Sequence, residues 1–409
     1  MRILLLTSLY PDEVIRNPAR QTPAIHNFVK FWNNSSDVQV KVIKLHYFPI
    51  DEKSYVAKPG YIRDGVPVES EYIFDKGVFK NRFKNFKFFK LWLSEKLETN
   101  YLEEFNLKNL IRTIEKESFS PDIILAHGML SFKETHLVSM HLKLPYILGF
   151  HASDIKNLLT NSWWENYIRK YSGGANGLVA RSKSIESKIK QNLPKHTHLF
   201  TAISGIKPEF LIPVNAAIQK LESWKSAKRP VKFISVCTLI KLKNIHLNLQ
   251  ALSNLSSEVD YEYTIVGEGA EFSKLKELTK KLELESKVKF RGQLSHIETL
   301  KELENSDIFI MVSSPETFGL SYLEALSKGN LLIGARDNGI DGLFQDRTEA
   351  FFVTPEIHHI ENCLREILLK KNKQELILIL TRSMQRLNSM SEQKVALNYL
   401  KYIEEVLND

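Results

Sequence analysis

The stretch Ser313-Ser314-Pro315-Glu316-Thr317-Phe318-Gly319-Leu320-Ser321-Tyr322-Leu323-Glu324-Ala325-Leu326 places two carboxylates around the start of a helix that directly follows an apolar strand, Ile308 to Val312. The first turn of a helix leaves backbone N–H groups unpaired, and the helix dipole adds partial positive charge there. The N-terminus near Phe318, Gly319 and Leu320 is therefore suited to cradle a diphosphate, and Gly319 lets the backbone approach such a ligand closely. On a continuous helix Glu316 and Glu324 would stand up to about 12 Å apart. Two carboxylates cooperating across one glycosidic bond stand roughly 5 to 9.5 Å apart. The spacing points instead to contacts with different parts of one long ligand, such as a sugar ring and a ribose joined through a diphosphate.

The elements that must position these residues are read from short apolar, β-branched runs alternating with longer amphipathic stretches, the pattern of βαβ units around parallel sheets. Strands are expected near Ile3 to Thr7, Val38 to Leu45, Ile123 to Ala126, Tyr146 to Phe150 and Gly177 to Ala180 in the first half. The second half repeats the rhythm at Phe233 to Cys237, Tyr263 to Val266, Val288 to Phe290, Ile308 to Val312, Leu331 to Gly334 and Phe351 to Val353. The chain of 409 residues exceeds what one core usually supports. The expectation is an α/β protein of two Rossmann-like domains facing a central cleft, with ligands at the carboxyl ends of the strands. Residues 1–209 would form the N-terminal domain and 210–388 the C-terminal one. Lys207 to Lys228, with Pro208 and Pro213, reads as the connection between them. Ser389 and Glu392 form a capping-box pattern before Val395, Leu397, Leu400, Ile403 and Leu407, so 389–409 reads as a terminal helix packing back on the N-terminal domain. His151 directly follows an expected strand and can face the cleft. His127 sits similarly and is assigned a structural role.

The segment from Pro315 through Glu324-Ala325 resembles the E-x7-E signature of family 4 of the retaining glycosyltransferases, the glycosyl transferases group 1, which adopt the GT-B fold. The resemblance covers most of the C-terminal half. Val266-Gly267-Glu268-Gly269 looks like the family's strand-ending turn, Phe290-Arg291-Gly292 like the next strand's exit, and Asp337-Asn338-Gly339-Ile340-Asp341-Gly342-Leu343 like the loop beside the donor sugar. In Val236-Cys237-Thr238-Leu239-Ile240-Lys241-Leu242-Lys243, the resemblance makes Lys243 the lysine that neutralises the diphosphate. Thr238 stands where the family carries an arginine, and its hydroxyl brings no charge. His151-Ala152-Ser153-Asp154 resembles the His-Gly-x-Asp element whose histidine reaches the donor sugar, and Ile203-Ser204-Gly205-Ile206-Lys207 a hinge signature.

What the resemblance implies is transfer of a hexose from a nucleoside-diphosphate sugar, as co-substrate, to an acceptor hydroxyl with retention, in bacterial-type polysaccharide or glycolipid assembly. His151 and Glu316 would serve the reacting sugar. Thr238, Lys243, the Phe318 to Leu320 helix start and Glu324 would hold the rest of the donor. The acceptor would be a glycan or a lipid-linked molecule. The loop from Ser8 to Ala24 contains no glycine, unlike that of many relatives.

Composition narrows the remaining classes. Hydrophobic content of 43% with 25% charged residues excludes a disordered chain, and no run approaches the length needed to span a bilayer. Two cysteines, Cys237 and Cys363, cannot make a disulfide framework, so a cytoplasmic protein is expected. No Asp-x-Asp pair and no His/Cys/carboxylate cluster with ligand spacing is apparent, so no metal is expected. Much of the net charge of +8 lies between Lys76 and Trp92, where Lys80, Arg82, Lys84, Lys87 and Lys90 interleave with Phe79, Phe83, Phe86 and Phe89. This segment reads either as a helix packed on its domain or as a peripheral contact with an anionic membrane surface; nucleic acid is not expected. A non-catalytic sugar-nucleotide or glycan-binding subunit, and a sugar-nucleotide epimerase or phosphorylase on the same architecture, stay open beside the transferase.

Overall fold

The computed structural model describes residues 1–11, 23–48, 60–75, 99–226 and 229–409. Several of its interior strands are buried along their whole length because parallel strands carry helices on both faces of the sheet. Every residue of Ile123–His127, Tyr146–Phe150 and Leu331–Ala335 is buried. The chain divides into two compact units, one comprising 1–181, 186–202 and 395–409, the other 182–185 and 203–394.

In the first unit the strands are β1 (Arg2–Thr7), β2 (Gln39–Phe48), β3 (Gly60–Arg63), β4 (Val66–Phe74), β5 (Ile123–His127), β6 (Tyr146–Phe150), β7 (Gly177–Ala180) and β8 (His198–Thr201). They lie in the order β3-β4-β2-β1-β5-β6-β7-β8, and all pairs are parallel except β3 with β4. Chain direction across the sheet reverses between β1 and β5, which makes their carboxyl ends the place where an open α/β sheet receives a ligand. The two strand exits are tied together there, since Thr7 Oγ1 donates to the carbonyl of His127 at 2.7 Å.

In the second unit β9 (Val231–Val236), β10 (Tyr261–Val266), β11 (Val288–Gly292), β12 (Ile308–Met311), β13 (Leu331–Ala335) and β14 (Phe351–Val353) form a wholly parallel sheet in the order β11-β10-β9-β12-β13-β14. This is the doubly wound order of a dinucleotide-binding sheet, and its switch point lies between β9 and β12. Both halves are thus Rossmann-like, as the alternating pattern predicts.

Several elements differ from the sequence expectation. The β3–β4 hairpin turns on Asp64 and Gly65, both at positive φ (48° and 80°), the two-residue turn that an Asp-Gly pair favours. Lys207 to Lys228 is no mere connection: Val214–Lys225 is a helix whose Ala217, Leu221 and Trp224 are buried in the second unit. The division between units falls at Ala202 and Ile203, ahead of 209/210. Ser389 does not cap the terminal helix. It ends the preceding helix, Lys373–Asn388, with its hydroxyl on Arg386 O, and Ser391 Oγ instead accepts the N–H of Lys394 at the start of Glu392–Asn408. That last helix packs within the first unit, where Trp32 Nε1 donates to Ala396 O at 2.8 Å and Tyr402 OH to Leu178 O at 3.0 Å.

Candidate functional site

At the carboxyl end of β9 the chain runs through Thr238, which is exposed, into a single 3-10 turn, Lys241–Lys243. Asn244 follows in the left-handed region at φ 52°, and its side-chain amide donates to Val312 O at 2.8 Å. Ser314 N–H donates to Leu242 O at 3.0 Å. These two bonds stitch the β9 exit to the β12 exit. They bring Lys243 Nζ to 2.6 Å from Glu316 Oε2, with the side chains only 20% and 11% exposed.

Glu316 is fixed from the other side as well. Its N–H donates to Asn338 Oδ1 at 3.1 Å, its carbonyl accepts from Gly339 N at 3.2 Å, and its Oε1 accepts from Thr317 N at 3.1 Å. Gly339 lies at φ 56°, and a Cβ there would come 3.0 Å from Phe318 O and 3.1 Å from Glu316 Cγ. The loop Asp337 to Leu343 is therefore pressed onto the glutamate by a glycine that leaves it room.

The helix Leu320–Ser327 begins where the sequence places it. Local packing also requires Gly319: at φ 80°, a Cβ would meet the Tyr322 ring at 2.6 Å. Phe318 is buried, so it can offer a ligand only its backbone N–H. Glu324, one turn into the helix, accepts from His296 Nε2 at 2.8 Å, and that contact raises the His296 pKa. Glu316 and Glu324 thus have different partners, which suits contacts with different parts of a ligand. Sequence reasoning missed His296, and it named Asn338 only as part of the loop after β13. His296 is the first residue of a helix capped by Ser295 and Glu298, a capping box visible in the sequence.

The glycine turn after β10 packs against the same β9 exit. A Cβ on Gly267 (φ 126°) would lie 1.9 Å from Cys237 O, and one on Gly269 would lie 2.4 Å from Leu239 O. Only glycines allow the two strand exits to lie this close, and Thr238 sits between those two contacts.

In the first unit His151 is buried at the exit of β6, and its N–H donates to Asp154 Oδ2 at 2.8 Å, fixing the start of helix Ala152–Thr160. Burial lowers the His151 pKa to about 3, aided by the Arg181 guanidinium, and burial raises that of Asp154 to about 6. His151 is neutral at neutral pH, and its buried Nε2 has no hydrogen-bond partner. A ring poised in this way offers a hydrogen bond and no charge. His127 packs edge-on against it at 5.6 Å between centroids, with its Nε2 3.1 Å from Tyr399 OH. Gly149 makes room for His127, since a Cβ there would fall 2.3 Å from His127 Nδ1. Arg181, which sequence reasoning did not single out, is buried, donates to Ala202 O at 2.6 Å and lies over the Phe28 ring.

The lysine-rich segment 76–92 and most of the loop after β1 lie outside the described residues. The expected absence of a His/Cys/carboxylate cluster is corrected by Glu356, His358 and His359, whose ligand atoms all lie within 4.8 Å of one another. No helix among the described residues is long and apolar enough to cross a membrane.

Residues 218–377 match the family described as Glycosyl transferases group 1. The chain is 25% identical over 221 residues to the N-acetyl-alpha-D-glucosaminyl L-malate synthase of Bacillus anthracis, covering 54% of this chain and 57% of the relative. It is 23% identical over 336 residues to the poly(glycerol-phosphate) alpha-glucosyltransferase of Bacillus subtilis, covering 77% of this chain and 47% of that one. The chain thus spans about half the length of these curated relatives. Among solved structures it is similar to Anabaena Alr3699/HepE in complex with UDP-glucose, with a TM-score of 0.66 at 16% identity, covering 99% of this chain and 100% of the other. At that identity the likeness concerns the fold, which is of the GT-B type.

Proposed function

We propose that this chain, whose residues 218–377 match the glycosyl transferases group 1 family, is a retaining glycosyltransferase that moves a hexose from a nucleoside-diphosphate sugar to an acceptor hydroxyl. The observation that carries this reading is the Lys243–Glu316 pair at 2.6 Å, held at the switch point of the second sheet beside the start of helix Leu320–Ser327. Switch points of doubly wound sheets receive nucleotides, and helix starts receive phosphates.

In this reading the ammonium of Lys243, which has three protons to donate, bridges Glu316 and the diphosphate. The N–H groups of Phe318, Gly319 and Leu320 face the developing phosphate charge, which is stabilisation aimed at the leaving group. Glu316 holds sugar hydroxyls, Glu324 with His296 holds the ribose, and neutral His151 gives a hydrogen bond to a sugar hydroxyl. The bond from the anomeric carbon to the diphosphate breaks with its electrons passing to the phosphate oxygen. That oxygen takes the proton of the attacking acceptor hydroxyl, so no protein nucleophile is needed. Thr238, with no charge, hands the work of an arginine to Lys243 and the helix start.

UDP-sugars are the donors to try first, since the similar Anabaena structure contains UDP-glucose. The acceptor is assigned to a glycan or lipid-linked molecule in cell-surface assembly, at the inner face of a membrane, with the basic segment 76–92 on its anionic surface. The test is a thermal-shift screen of UDP-, GDP- and ADP-sugars, followed by donor turnover with the wild type and Glu316→Ala. A donor that raises the melting temperature and is consumed only by the wild type supports the reading. Epimerised donor, or turnover unchanged in Glu316→Ala, overturns it.

A further inference from the structure

Away from the strand exits that carry the donor reading, β14 leads through Thr354 and Pro355 into helix Ile357–Arg365, whose N-cap is Glu356. An acidic N-cap ordinarily accepts N–H groups of the first turn. Glu356 makes no such bond. Its Oε2 instead lies 3.6 Å from Nδ1 of His358 and 3.6 Å from Nδ1 of His359. Adjacent helical residues normally point about 100° apart, yet the two imidazole centroids are only 3.8 Å apart, since both rings turn toward the one carboxylate.

The distances argue against simple ion pairing. At 3.6 Å neither imidazole makes a hydrogen bond to the carboxylate, and Nδ1 of His359 is buried with no hydrogen-bond partner at all. Ligand atoms that share a tetrahedral ion at about 2.0 to 2.1 Å stand about 3.3 Å from one another. The carboxylate oxygen stands 3.6 Å from each of the two ring nitrogens, slightly beyond that spacing, and all three ligand atoms lie within 4.8 Å of one another.

We propose that Glu356, His358 and His359 bind a single divalent transition-metal ion of the zinc class. Two imidazoles and one carboxylate are the donor set that suits zinc and its neighbours rather than magnesium or calcium. Three protein ligands leave at least one coordination position for water. His359 also borders a cavity of about 490 Å³ lined in part by Arg336, Arg347, Glu366 and Lys370. The positive end of the helix dipole opposes a cation at this place, so the negative charge of Glu356 is indispensable to the site. The ion would pin the start of this helix to the turn that leaves β14, well apart in sequence from Lys243, Glu316 and Glu324.

The experiment uses the full chain, freed of metal by a chelator and exchanged into non-coordinating buffer near pH 7.5. Zn²⁺ alone is titrated calorimetrically into the wild type, Glu356→Gln and the double variant His358→Ala/His359→Ala. Co²⁺ serves as a spectroscopic probe of coordination. The three side chains are 55%, 64% and 43% exposed, so the variants should fold, as circular dichroism will verify. The expected result is one tight Zn²⁺ per wild-type chain, at least tenfold weaker binding in Glu356→Gln, and loss of that site together with the Co²⁺ visible bands in the double variant. Absence of stoichiometric binding to the wild type, or identical isotherms for wild type and double variant, overturns the proposal. Neither outcome bears on the donor site, because sugar transfer is not the readout.

Discussion

Replacing Glu316 by Gln should tighten the binding of free UDP while abolishing sugar transfer. Lys243 and Glu316 form a close pair, 2.6 Å apart and mostly shielded from solvent, so the lysine's charge is largely cancelled before any ligand arrives. Gln keeps the shape of the side chain and removes its charge, leaving the site more positive by one unit. At an effective dielectric near 20, a unit charge about 5 Å from a phosphate interacts by about 3 kcal/mol. Partial exposure and physiological salt reduce this to about 1 kcal/mol, roughly a fivefold gain in affinity. Lys243→Met acts in the opposite direction. It leaves an unpaired carboxylate facing the diphosphate, and UDP binding should weaken by about 2 kcal/mol, roughly 30-fold. Calorimetric UDP titrations of wild type and both variants at low and physiological salt measure the two effects, with the gain in Glu316→Gln shrinking as salt rises. A folded Glu316→Gln protein that binds UDP no better than wild type would show that this pair does not face the diphosphate.

Three other outcomes follow from the geometry. Thr238→Arg, at an exposed position on the β9 exit, should improve UDP affinity by about 1 kcal/mol through a charge-assisted bond; an unchanged affinity would place the diphosphate elsewhere. The His151 ring resonances should not titrate between pH 5 and 8, because its pKa falls from 6.5 to about 3 on burial. The folded state then binds fewer protons than the unfolded one, so this histidine's contribution to stability is complete above about pH 6.5 and is lost as pH falls toward 3, and His151→Asn should flatten the acid side of the stability profile. Asp154, raised to about 6, works in the opposite sense, its contribution being lost as pH rises through that value. Gly267→Ala forces a Cβ to within 1.9 Å of Cys237 O at φ 126°; a loss of about 3 kcal/mol or more by urea denaturation is expected, and a loss under about 1 kcal/mol would mean the turn relaxes freely.

The parts of the fold legible in the sequence were those whose chemistry is repetitive. Buried parallel strands such as Tyr146–Phe150 and Phe351–Val353 are apolar throughout and stand out by composition alone. Strand β4, Val66–Phe74, carries Glu69, Ser70 and Glu71 near the sheet's edge, so its signal is diluted, although the Asp64-Gly65 pair before it marks the turn. Helix Val214–Lys225 was hidden by the prolines and charges around it, because only the positions of Ala217, Leu221 and Trp224 announce its buried face. The site divides the same way. Glu316 and Glu324 were found through a local pattern, whereas His296 reaches Glu324 across 28 residues of sequence, a separation no local spacing reveals. The Glu356, His358 and His359 group escaped notice because an i, i+2, i+3 spacing converges only when the first residue lies outside the helix, as its φ of −137° and ψ of 142° make it.

The terminal helix Glu392–Asn408 has a consequence for how the chain is born. Tyr399 is fully buried against Phe28, Trp32 and Phe200, and a Cβ on Gly177 would strike the hydroxyl of Tyr402. Within the first unit, Trp32 and Phe28 are thus covered by a helix segment that is synthesised only after residues 203–394 of the second. The core of the first unit is completed only when that helix has been made, and until then Phe28 and Trp32 are the surface that a chaperone would shield.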